Sequence, residues 1–181
     1  MSKLAVIAGP TAVGKGTVVR RLLELDPAVK LSVSATTRPP RPGEVDGIHY
    51  FFWTNEQFDQ AIATNQLLEY AVVHGENRYG TPRAPIERAL AQGSKVILEI
   101  DIQGAAQVKA AMPDSTSIFI SPPSWNELVR RLNGRGTETP EQQAKRLETA
   151  VAELAAADSF DFKVINDDVD KCATKVLDLI S

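Results

Sequence analysis

The sequence predicts an α/β fold, a largely parallel sheet flanked by helices, and two observations predict it. Short apolar runs rich in β-branched residues alternate with longer helical patterns, as strands joined by helical crossovers do. The first run, Leu4–Ala8, passes through a glycine-rich, lysine-bearing loop into a helical pattern, a strand–loop–helix unit that suits phosphate binding.

The elements follow in order. A helix is expected from about Gly16 to Leu25, closed by Asp26-Pro27, because proline disfavours the helical region for the residue before it. Leu31–Ser34 reads as a short strand. Thr36–Gly47 carries prolines and arginines without apolar periodicity, which reads as a loop either functional or disordered. His49–Trp53 is a further strand, and Thr54 with Gln57 forms a capping box. Leu67–Val73 is strand-like. Thr81-Pro82 suits an N-cap and first helical position, for a helix that stops near Gln92-Gly93. Lys95–Ile100 and Ser115–Ile120 are buried-strand patterns. Ser124 with Glu127 and Thr139 with Gln142 are two more capping boxes, flanking a glycine-bearing loop at 133–137. An alanine-rich helix runs from Pro140 to about Ala157, and Phe162–Ile165 is a last strand before a terminal helix. No internal repeat, low-complexity tract or interdomain linker interrupts the pattern.

Bulk properties exclude several function classes. A chain of 181 residues fits a single domain, 1–181, able to bury a core without covalent staples. A formal net charge of -3 argues against general binding of nucleic acid or of an anionic membrane, so any bound anion must be held by local basic clusters. The single cysteine, Cys172, permits no intramolecular disulfide and fits a reducing compartment. The apolar run near the start is too short for a signal peptide or membrane span. The expectation is a cytoplasmic protein with no nucleic-acid or membrane partner, a monomer or small homo-oligomer.

The phosphate cradle is Gly9-Pro10-Thr11-Ala12-Val13-Gly14-Lys15-Gly16-Thr17. Its glycines permit a tight loop with inward-facing amides, the helix start adds positive dipole, and Lys15 supplies a mobile charge. One departure matters. Gly16 follows the lysine where the general motif has a hydroxyl for magnesium, and Thr17 is the first hydroxyl. Magnesium is therefore expected to be held mainly through substrate phosphates and water, with Thr17 the candidate protein contact.

Beyond the cradle, Ser32–Gly47 with its Ser34, Arg38-Pro-Pro-Arg41 and Gly47 resembles the signature of guanylate kinases. The resemblance continues through Tyr50, Leu67–Tyr70, Tyr79-Gly80-Thr81, Glu99–Gly104, Gly134–Glu138, Lys145–Leu147 and Asn166-Asp167, so it spans essentially the whole chain. It implies a P-loop kinase core at about 1–33 and 83–181, a GMP-binding subdomain at about 34–82 and a lid near 124–145. The implied activity is transfer of the γ-phosphoryl of ATP to GMP, and to dGMP, with magnesium. ATP would meet Gly9, Ala12, Val13, Gly14, Lys15, Gly16, Thr17, Arg131, Arg135 and Asn166, the last near adenine. GMP would meet Ser34, Arg38, Arg41, Tyr50, Glu69, Tyr79, Thr81 and Asp101. Lys15, Arg38, Arg135 and Arg146 would carry the catalytic charge.

The residue chemistry agrees. Arg38 and Arg41 offer forked donors to a phosphate dianion, and Ser34, Tyr50 and Tyr79 add hydroxyls. Glu69 and Asp101 can accept from guanine N1–H and N2–H₂, while Thr81 can donate to O6. Blander roles stand beside these: Tyr50 as core packing, Glu69 as an exposed strand residue, Thr81 as a helix cap, Asp101 as a structural acceptor and Arg131 as a solvated helix residue. The role of Glu99 stays open. Ala35 and Pro10-Thr11-Ala12 depart from commoner family residues without removing a needed group. The cradle alone also resembles that of tRNA prenyltransferases, but nothing after Thr17 supports them. A catalytically dead kinase-like binding module is disfavoured by the presence of Lys15, Arg135 and Arg146.

Overall fold

The structure, a computed structural model, describes residues 3–73, 77–133 and 140–180. Five strands form a fully parallel sheet: β1 (Leu4–Ala8), β2 (Val29–Leu31), β7 (Lys95–Glu99), β8 (Thr116–Ser121) and β9 (Phe162–Ile165), in the order β2-β7-β1-β8-β9. β1 is buried along its whole length, which explains its unbroken apolar run. Its side chains alternate between two cores. Ala5 and Ile7 pack with Val18, Val19 and Leu22 of α1 (Lys15–Leu25) and with Cys172, Ala173 and Val176 of α7 (Val169–Ile180). Leu4, Val6 and Ala8 pack on the other face with Ile86 of α3 (Arg83–Ala91) and Ala105 and Val108 of α4 (Ile102–Ala111).

A second, four-stranded sheet lies between β2 and α3 in sequence. It consists of β3 (Ala35–Thr36), β4 (Phe51–Phe52), β5 (Leu67–Val73) and β6 (Asn77–Pro82), in the order β4-β3-β6-β5. β3 pairs parallel with β4 and antiparallel with β6, which pairs antiparallel with β5. Helix α2 (Asn55–Ala63) covers it, and Phe58 and Ala61 build a separate small core with Ala35 and Leu67. A fourth cluster joins α5 (Trp125–Asn133) to α6 (Pro140–Ala155) through Leu128, Leu132 and Ala150, and Ala12 of the phosphate loop packs against it. Among the described residues no helix is long and apolar enough to cross a membrane. The buried Cys172 thiol is pushed up to about 11, first by burial and then by the nearby charge of Asp167.

Several expectations meet the structure directly. The Thr54–Gln57 capping box forms in both directions, and the α3 end falls at Gln92 with Gly93 at φ 81. Ser124 Oγ accepts from Glu127 N, but the Glu127 carboxylate turns to Arg130 and Arg131 instead of completing a box. The Thr139–Gln142 box lies outside the described residues. Two readings are corrected, and one helix is added. Leu31–Ser34 is not one strand, since β2 ends at Leu31 and β3 begins at Ala35. Thr81 is not a cap but a buried residue of β6, with Pro82 at the N-cap of α3, because pairing with β5 outweighs the local helix signal. Helix α4, which the apolar pattern does not announce, is separated from β7 by two residues and is capped by Asp101.

Phe58 is fully buried and anchors the small core of the second sheet. Phe58→Ala should lower the unfolding free energy by about 3–5 kcal/mol in urea titration. A loss under about 1 kcal/mol would mean that this core does not hold the second sheet.

Candidate active site

The phosphate loop leaves the carboxyl end of β1 at the centre of the parallel sheet. Gly9 lies so close to the carbonyl of Ile120 in β8 that no side chain would fit, and Gly14 takes φ 96 as the N-cap of α1. Ala12 adopts φ 65, a conformation that glycine takes more readily, and its methyl packs against the α5–α6 cluster. Lys15 Nζ donates to Gly9 O at 2.5 Å. Burial lowers the pKa of Lys15, opposed by the charges of Glu153, Glu99 and Asp101. The loop lines a cleft of about 530 Å³ together with Arg20, Glu99 and Arg131.

The outer wall of the loop is braced from behind. Asn166, buried, donates through Nδ2 to Val13 O at 2.9 Å, while its own amide bonds Ser121 O. Arg131 donates to Val13 O at 3.0 Å and to Glu127 at 2.7 Å. Arg131 is thus no idle surface cation, and Asn166 reaches the loop itself. Glu153 of α6 was not foreseen. Its Oε2 accepts from Thr11 N at 3.1 Å, tying α6 to the lip of the cradle, and burial raises its pKa. No local pattern could show this contact, since 142 residues separate the partners.

The second cluster is built on β5, β6 and the start of α4. Glu69 is 7% exposed, and Thr81 Oγ1 donates to its Oε1 at 2.6 Å. Burial raises the Glu69 pKa, the Thr81 bond lowers it, and the charge of Asp101 raises it. Asp101 Oδ1 accepts from Gly104 N at 2.7 Å as the cap of α4. The exposed-strand alternative for Glu69 is therefore excluded, and the single Thr81 hydroxyl hydrogen points to Glu69.

The third cluster lies in the Pro-Arg loop. Arg38 forms a forked pair with Glu44, NH1 to Oε2 and NH2 to Oε1, both at 2.9 Å. Its guanidinium lies over the rings of Tyr50 and Phe52, at 5.4 and 5.9 Å from their centroids. Tyr50 meets Tyr79 edge-on, and the bond to Glu44, with a smaller contribution from the Tyr79 hydroxyl, raises the Arg38 pKa against the effect of burial. Glu44 also accepts from Arg41 N at 2.7 Å, and Asp46 accepts from Phe52 N at 2.8 Å. Polar side chains therefore order a loop that has no apolar stripe. Arg41 is exposed, and Ser34 is half-buried with its carbonyl bonded to Phe51 N. Arg146 is half-buried on α6, whereas Arg135 lies outside the described residues.

A glycine–lysine cradle at the centre of a parallel sheet, with a second sheet carrying basic and carboxylate groups, defines a P-loop kinase of the nucleoside monophosphate type. The guanylate kinase family model matches residues 1–181. Guanylate kinase of Cutibacterium acnes is 59% identical over 98% of this chain and 89% of its own, and that of Thermobifida fusca is 54% identical over 99% and 91%. The crystal structure of guanylate kinase from Anaplasma phagocytophilum superposes with a TM-score of 0.76 at 30% identity, covering 99% of this chain and 84% of that one. The chain belongs to the guanylate kinase family.

The Arg38–Glu44 pair carries a pH signature. Hydrogen bonds from Arg38 and from the Arg41 amide hold the Glu44 carboxyl at about 2, below its ordinary 4.5. A depressed carboxyl stabilises the fold above its unfolded pKa and loses that contribution as pH falls through the folded value. The stability difference between the wild type and Glu44→Gln should therefore be full above pH 4.5 and fade towards pH 2. Acid unfolding curves that run parallel over that range would contradict the pairing.

Proposed function

We infer that the chain transfers the γ-phosphoryl of ATP to GMP, with ATP in the cradle and GMP between the Pro-Arg loop and Glu69. The observation that carries this arrangement is geometric. Asp101 Oδ1 and Glu69 Oε2 both lie within 3.2 Å of where a β-carbon on Gly104 would stand, and Asp101 follows β7, the neighbour of the strand that carries the cradle, so charges of both clusters meet at that corner.

Guanine offers N1–H and N2–H₂ on one edge, and Glu69 with Asp101 presents acceptors for them. Thr81 serves this edge by fixing Glu69 instead of donating to O6 itself. Adenine would bring an acceptor at N1 against a buried carboxylate, a mismatch that discriminates strongly. The GMP phosphate goes to Arg38, Arg41, Tyr50 and Tyr79, with Ser34 nearby, and dGMP presents the same groups. Arg38 arrives already oriented by Glu44 and stacked on aromatic rings, so little freedom is lost on binding.

The phosphate of GMP is itself a nucleophile near neutral pH, so no general base is needed and catalysis rests on position and charge. Lys15 and the loop amides hold the β- and γ-phosphates of ATP. Asn166 and Arg131 keep the loop in shape through Val13 O, and Arg146 and Arg135 bring positive charge from the lid side to the moving group. Closure of that side excludes water and so limits hydrolysis of ATP.

Among the described residues no group of three or more His, Cys, Asp or Glu is placed to hold a metal. Magnesium still fits here, because it keeps several waters and needs few protein ligands. A β-carbon on Gly16 would lie 3.6 Å from Glu99 Oε1, so the missing hydroxyl leaves space beside a carboxylate. Glu99, with Thr17, would hold magnesium through water, and the bound ion would neutralise phosphate charge.

Lys15→Ala should reduce kcat by about 10³-fold or more while the melting temperature stays within a few degrees. Retention of more than about a tenth of the activity would remove Lys15 from the phosphate site. Glu69→Gln should raise the KM for GMP about tenfold and narrow the preference over AMP. Unchanged KM and unchanged base choice would refute the guanine assignment.

A further inference from the structure

Gly104 stands in the first turn of α4, just before Ala105 and Ala106, in a helix otherwise made of better helix formers. Glycine is disfavoured in helices, and Gly104 has no positive φ that would demand it. What demands it is space. A β-carbon at Gly104 would lie 2.9 Å from Glu69 Oε2, 3.2 Å from Asp101 Oδ1 and 3.3 Å from Ile100 Cδ1. All three atoms belong to side chains, and the tightest is the carboxylate assigned to guanine.

The opposite oxygen of that carboxylate is held by Thr81 Oγ1 at 2.6 Å. Glu69 is therefore seated between a hydroxyl of β6 and the bare backbone of a helix start. The start of a helix also favours a nearby negative charge, which opposes the burial that Glu69 suffers.

We propose that Gly104 is a positioning residue for base specificity: the bare first turn of α4 sets how deeply the Glu69 carboxylate sits, and so how it meets the donor edge of guanine. This rests on the assignment of Glu69 to guanine. The helix itself is fixed from elsewhere, by the burial of Ala105 and Val108, and its Asp101 cap, at 3.2 Å from the added carbon, needs to give by only a few tenths of an ångström. An added methyl would therefore displace the carboxylate and not the helix. Restoring ordinary contact, beyond 3.4 Å, moves Glu69 Oε2 by about half an ångström. A carboxylate that must accept from two donors at once loses alignment with such a shift.

The test is Gly104→Ala in the full chain, with GMP and ATP binding measured by calorimetry alongside the melting temperature. The Kd for GMP should rise about tenfold, binding of ATP should be unchanged, and the melting temperature should hold or rise. In a Glu69→Ala background, where the carboxylate is gone, Gly104→Ala should cost GMP nothing further. Unchanged GMP affinity, equal losses for GMP and ATP, additive losses in the double variant or failure of Gly104→Ala to fold would each overturn the proposal. GMP loss with Glu69→Ala but not with Gly104→Ala overturns this inference alone. No loss with Glu69→Ala overturns the guanine assignment and this inference with it.

Discussion

Asp101 turns the chain from β7 into α4, and its hydrogen bond from Gly104 N fixes where that helix begins. Much follows from this one corner. β7 is the neighbour of β1, so the corner stands beside the phosphate loop. The first turn of α4 reaches the second sheet, where it meets the side chain of Glu69 on β5. This turn, the bonds of Gln107 to the backbone of Tyr70 and the packing of Leu68 against the parallel-sheet core relate two sheets that, among the described residues, share no backbone pairing. Open parallel sheets gather ligands at the carboxyl ends of their strands, and here the corner extends that edge towards the second sheet.

The two cores divide the work. The parallel sheet is covered on both faces and gives the phosphate loop a rigid base. The second sheet has its own small core around Phe58, and among the described residues it contains three of the groups expected to meet GMP, Glu69, Tyr79 and Thr81. Glu153 and Arg131 add ties from the lid-side helices to the loop, at Thr11 N and Val13 O. These ties are few, two of them polar and one the packing of Ala12 on the α5–α6 cluster, whereas each sheet is held by extended apolar packing. Motion between the parts is therefore less costly than distortion within them.

Legibility in the sequence followed the range of the forces involved. β5 and β9 matched their apolar runs residue for residue, and the α2 cap was readable because its partners are three residues apart. The phosphate loop was legible because its chemistry is local. β6 was missed because Asn77–Pro82 is polar and exists by pairing with β5 and β3. α4 was missed because Asp101 was read as a ligand, although an aspartate before Ile102 is also a cap signal. Among site residues, Glu69 and Arg38 were visible by type, but their partners were not. Thr81, Glu44 and Gly104 act through contacts across strands or within a loop that has no period. The segment carrying Arg135 lies outside the described residues.

The same physics explains how an acidic chain can receive two anionic nucleotides. Several cations at the site already have a carboxylate near them: Glu44 on Arg38, Glu127 on Arg131, and Glu153 with Glu99 beside Lys15. Such pairs keep buried or crowded cations solvated by protein and fix their direction. They also set a condition for binding. A phosphate must either share the cation with its carboxylate or take its place, so the affinity gained is the difference between two anions and not the full attraction of one. A forked guanidinium pairs with phosphate as readily in geometry as with carboxylate, and a dianion brings more charge to the exchange. Under the proposed assignment, an anion of lower charge would gain less from the same exchange, so the pairing would favour a nucleotide phosphate over lesser anions.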